Sequence, residues 1–154
     1  MTGKRTLAAF IAAGAMLAPA AILADAGHGV DIGNPGDPKQ VARTIEIVSG
    51  DDFRYRPSQI AVKRGETVRL VVKNPGRIDH ELVLGSMDDL KAHAQMMRKH
   101  PGMEHDAPNQ AMVRPGEARA IVWQFTRAGT VGFACTIPGH LEAGMVGEVQ
   151  VRTR

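Results

Sequence analysis

A single cysteine, Cys135, is all that this chain of 154 residues carries. A disulfide framework is thereby excluded. Aromatic residues are scarce as well: one Trp, one Tyr and four Phe. No basic block is interleaved with aromatics, and the formal net charge is only +3. Those two absences exclude a nucleic-acid partner. Long apolar runs are absent apart from Thr6 to Leu23. That run follows Lys4 and Arg5 and leads to Ala24-Asp25-Ala26, an A-x-A cleavage pattern. Residues 1–26 are therefore expected to be a cleaved signal peptide rather than a retained anchor. Export to a bacterial periplasm follows, with no stable membrane insertion after cleavage. In an oxidising compartment an unpaired thiol is a liability unless it is buried or bound to a metal.

What is present divides by periodicity. Residues 27–40 hold Gly27, Gly29, Gly33, Pro35, Gly36 and Pro38, and read as a flexible leader. From residue 41 to 154 the chain reads as one domain of short strands. Thr44 to Val48 alternates apolar and polar, as a half-buried strand does. Further strands are expected at Gln59–Val62, Thr67–Lys73, Glu81–Leu84, Ala118–Phe125, Thr130–Cys135 and Gly147–Arg152. The turns between them carry Gly65, Asn74-Pro75-Gly76, Pro115-Gly116 and Gly129. Seven or eight short strands of this kind predict an all-β, Greek-key β-sandwich.

One segment, residues 86–112, breaks the β pattern. Ser86 with Asp89 three residues on is a helix start, and Pro101-Gly102 a stop. A helix is predicted over Met87 to His100. The segment is rich in Met and His: Met87, His93, Met96, Met97, His100, Met103, His105 and Met112. His93, Met96, Met97 and His100 share a helical face, which soft ligands for Cu(I) would require. Leu90, Ala94 and Met97 also form a packing stripe, and packing with solvent exposure is the favoured expectation.

The most informative stretch is Cys135-Thr136-Ile137-Pro138-Gly139-His140-Leu141-Glu142-Ala143-Gly144-Met145. It spaces a thiolate, an imidazole and a thioether five residues apart. A further imidazole, His80, follows the Asn74-Pro75-Gly76 turn. Two His, one Cys and a weak Met suit a copper centre that cycles between Cu(I) and Cu(II). Zinc is the chemical rival, and a Met ligand argues against it.

This C-x4-H-x4-M motif, with the upstream His, resembles the cupredoxins, the family of plastocyanin and azurin. Its spacing is most similar to that of rusticyanin. The resemblance covers roughly Thr44 to Val151. It implies a cupredoxin-like sandwich and one type 1 copper ion, held by His80, Cys135, His140 and axial Met145. It also implies a one-electron carrier, not an enzyme, that meets redox partner proteins in the periplasm as a monomer. The other reading is a copper-handling protein for copper tolerance, with the Met/His segment as its device. Cupredoxins commonly have Asn after the first His ligand, where it helps tie the ligand loops together; this chain has Glu81. Strand alternation predicts that Glu81 points away from His80 as a solvated charge.

Overall fold

The computed structural model describes residues 32–100 and 107–153. Ten strands build two sheets: β1 (Asn34–Pro35), β2 (Arg43–Gly50), β3 (Arg54–Arg56), β4 (Gln59–Lys63), β5 (Thr67–Lys73), β6 (His80–Gly85), β7 (Gln110–Val113), β8 (Ala118–Gln124), β9 (Gly129–Ala134) and β10 (Val146–Arg152). One sheet has the order β1-β8-β5-β2-β3 and the other β4-β10-β9-β6-β7. The β2–β5 and β4–β10 pairs are parallel, and the other pairs are antiparallel.

The sequence explains the layering. In β4, Ile60 and Val62 are buried between exposed Gln59, Ala61 and Lys63. In β5, Val68, Leu70 and Val72 turn inward together. With Ile47, Leu82, Leu84, Ile121, Trp123, Phe125, Val131 and Phe133 they fill the space between the sheets. Burying each such side chain contributes about 1.5–3 kcal/mol. The Pro115-Gly116 turn closes as expected, with Glu117 N–H on the Arg114 carbonyl at 2.9 Å.

The α-helix α1 (Met87–Lys99) follows β6 directly. The Ser86 hydroxyl caps it by accepting the Asp89 N–H at 3.1 Å. Asp88 and Asp89 in the first turn and Arg98 and Lys99 in the last complement the helix dipole. Leu90, Ala94 and Met97 are its buried stripe. Gly85 and Gly132 let it lie close to the sheet, because a Cβ on Gly132 would meet Leu90 Cδ1 at 3.1 Å. Met96 is exposed, as is His100 at the helix end, so the Met/His face splits between core and solvent. Met103 and His105 lie outside the described residues.

The signal peptide expected over 1–26 also lies outside them, as do residues 27–31 of the expected leader. The sheet extends into the rest of that leader. Asn34–Pro35 pair with Gln124 and Trp123, and the Trp123 indole N–H donates to the Ile32 carbonyl at 2.9 Å. Among the described residues no helix is long and apolar enough to cross a membrane.

Candidate metal centre

Three of the four expected ligands come together at one end of the sandwich. His80 opens β6, and Cys135 follows the last residue of β9. Both lie in line with core residues of their strands, Leu82 and Leu84 for His80, Val131 and Phe133 for Cys135. His140 comes from the loop between β9 and β10. The donor atoms of His80, Cys135 and His140 lie within 4.8 Å of one another. Cys135 Sγ is 3.2 Å from His140 Nδ1, and the two imidazole centroids are 5.3 Å apart.

The loop is closed by its own backbone. Cys135 N–H donates to the Met145 carbonyl at 3.1 Å, and Met145 N–H to the His140 carbonyl at 3.0 Å. Gly139 and Gly144 both adopt φ of +91°, a conformation that side chains disfavour. Met145 is fully buried, and its backbone is bonded to those of Cys135 and His140. The loop also touches the helix: Arg98 pairs with Glu142 at 3.1 Å. Leu141 packs on the outer cluster of Val83, Leu90 and Ala134.

Glu81 is where the structure corrects the sequence. It is buried, not solvated. Both faces of β6 are covered: Val83, on the same face as Glu81, packs under α1 and the ligand loop. Glu81 Oε1 accepts the backbone N–H of Thr136 at 3.0 Å and also the Thr136 hydroxyl. Its backbone N–H points at Cys135 Sγ from 3.4 Å. Glu81 therefore ties the strand of one ligand to the loop of the others. The Tyr55 hydroxyl donates to the Glu81 carbonyl beneath them.

The sequence also gave no sign of a contribution from the turn between β2 and β3. Phe53 has φ of +57°, rare for a bulky residue, and its ring sits edge-on to His140 at 4.8 Å. Asp51 reaches the other imidazole, its Oδ1 3.7 Å from His80 Nε2. Neither residue belongs to a motif or a hydrophobic period. Their roles arise only when the turn folds over the end of the sandwich.

The electrostatics suit a soft cation. Burial pushes the Cys135 thiol up to about 12, opposed by the Glu81 N–H and reinforced by the Glu81 charge. Burial holds both His80 and His140 below the ordinary histidine value, so the rings are neutral donors. Both ring nitrogens of His80 are buried without a hydrogen-bond partner. Buried polar atoms normally have partners, so an orphaned imidazole beside a buried thiol fits a metal ligand. A nitrogen–nitrogen–sulfur set of this kind suits copper.

The family of copper-binding proteins described as plastocyanin/azurin matches residues 41–152. This chain belongs to that family. It is 55% identical over 120 residues to the copper-resistant cuproprotein CopI of Rubrivivax gelatinosus, covering 78% of this chain and 73% of the relative. It is 36% identical over an alignment of 185 positions to the protein of the same name from Pseudomonas aeruginosa, covering 99% of each. Among solved structures, dithionite-reduced auracyanin from Roseiflexus castenholzii matches with a TM-score of 0.62 at 26% identity, over 73% of this chain and 98% of that one. Auracyanin A, a blue copper protein from Chloroflexus aurantiacus, matches with 0.61 at 26% identity, over 71% and 98%.

Copper is accordingly the cofactor of this cupredoxin, and His80, Cys135 and His140 are residues able to hold it. A bound copper ion supplies one-electron exchange between Cu(I) and Cu(II). The chain's own residues supply a desolvated cradle that rests on two strands, and one imidazole, His140, that is only half-buried.

Proposed function

We propose that this cupredoxin binds one copper ion through His80, Cys135, His140 and Met145 and serves copper tolerance. The observation that carries this reading is the convergence of His80, Cys135 and His140 on one point in a chain 55% identical to a copper-resistant cuproprotein. The motif by itself favours electron carriage; the relatives named copper-resistant cuproproteins support tolerance instead. The protein takes up and holds copper without turning over a substrate. After loss of the leader it works in the periplasm as a monomer.

One observation also favours one-electron exchange with a partner protein. The half-buried His140 lies among exposed Pro138 and half-buried Ile137 and Leu141, a small apolar mouth that suits brief docking.

A strain lacking this protein should grow poorly at raised copper. The wild-type chain should restore growth, and Cys135→Ser should not. Restoration by Cys135→Ser would remove the copper site from the explanation of tolerance.

A further inference from the structure

We infer that Asp51 is a positioning residue of the copper site, its carboxylate accepting the Nε2–H of His80 and so leaving Nδ1 to the metal. The inference rests on the copper reading above.

His80 is fully buried, and neither ring nitrogen has a hydrogen-bond partner. One nitrogen is accounted for by the metal. The other needs an acceptor, because a metal-bound imidazole ordinarily donates its second N–H to a carboxylate or carbonyl. The Asp51 carboxylate is the charged group set against it, with Oδ1 3.7 Å from Nε2. That gap is longer than a hydrogen bond by less than an ångström. Such bonds commonly tighten once the bound group fixes the ring.

Asp51 is held in place rather than placed by chance. Both its oxygens accept the Arg77 N–H at 3.0 Å. The neighbouring Gly76 makes the room, since a Cβ there would sit 1.9 Å from Asp51 Oδ1. Asn74 shapes this turn: its Oδ1 accepts the Gly76 N–H at 2.9 Å. Its Nδ2 donates to the carbonyls of Ile78 and Val113, both at 2.8 Å. The turn that leads into His80 is therefore built around the carboxylate that faces His80. The other copper histidine matches this orientation, because His140 presents Nδ1 to Cys135 Sγ.

A carboxylate on Nε2–H makes the imidazole a better donor, which favours Cu(II) over Cu(I). Replacing it by an amide keeps the shape and removes the charge. Loss of such a partner ordinarily weakens metal binding by about 10–100-fold.

The test compares wild type with Asp51→Asn, using copper as the probe. The variant should bind Cu(II) about tenfold more weakly with Cu(I) affinity unchanged, which raises the potential by about 59 mV for one electron. Unchanged Cu(II) affinity and potential, with or without a fall in Tm, would reduce Asp51 to a tie for Arg77 and overturn the inference. A second measurement needs no variant. In the Cu(I)-loaded wild type with 15N-labelled histidine, His80 should carry its proton on Nε2, with slow exchange. A proton on Nδ1 overturns the inference. If the wild type takes up no copper, the copper reading falls as well, and the two failures are thereby told apart.

Discussion

Glu81 and Thr136 are joined through one oxygen: Glu81 Oε1 accepts both the backbone N–H and the hydroxyl of Thr136. The residue after one ligand thus grips the residue after another.

Glu81→Ala should leave two buried donors of Thr136 without an acceptor. Each unsatisfied buried group costs about 1–3 kcal/mol. The apoprotein should lose about 2–6 kcal/mol, read as a lower urea midpoint with an unchanged slope. An unchanged midpoint would show that Thr136 finds another partner.

Copper uptake should release a proton. The Cys135 thiol, raised to about 12, is protonated at neutral pH, whereas the two imidazoles are held neutral by burial. Between the histidine range and pH 12, copper affinity should rise about tenfold per pH unit, one proton being displaced. The raised thiol also favours the folded apoprotein below its ordinary value of 9.0, and that advantage is lost as pH climbs from 9.0 to about 12. Calorimetry in buffers of different ionisation enthalpy reads the proton directly. Zero protons released at pH 7.5 would contradict burial of a neutral thiol.

Met145→Leu keeps volume in a fully buried position and removes a weak donor. Copper should stay bound while the potential rises, by about 59 mV for each tenfold loss of Cu(II) relative to Cu(I). Loss of copper altogether would make Met145 a principal ligand.

On α1, Leu90→Ala should cost about 2–5 kcal/mol, because Leu90 is buried against the sheet. Met96→Leu with His100→Gln lies on exposed positions, and its effect should stay within about 0.5 kcal/mol. Both variants should bind the same single copper equivalent as wild type. A missing second equivalent in the Met96/His100 variant would instead give the helix a copper site of its own.

The strands were legible where one face is wet. In β4, and in β5 from Val68 to Lys73, the period of two maps onto burial, although Ala61 and Val71 put apolar side chains on the outer face. It misled at Glu81 because β6 is covered on both sides, and a strand buried on both faces has no polar side to reveal. The short β3, Arg-Tyr-Arg, shows too little pattern to be read, although Tyr55 is part of the core. The ligands of the motif stood out by spacing. Asp51 and Phe53 did not, because their partners Arg77 and His140 lie far along the chain and only the folded turn brings them near.

The order of the ligands along the chain has its own consequence. His80 and Cys135 are separated by β7, β8, β9 and α1, and His140 and Met145 come near the C-terminal end. A bound ion therefore cross-links a long loop, the kind of closure that restricts an unfolded chain most. A chain clipped before Cys135 would retain His80 and lose the other three ligands of the motif. The metal content of a preparation is thus also a measure of how many molecules have completed the sandwich.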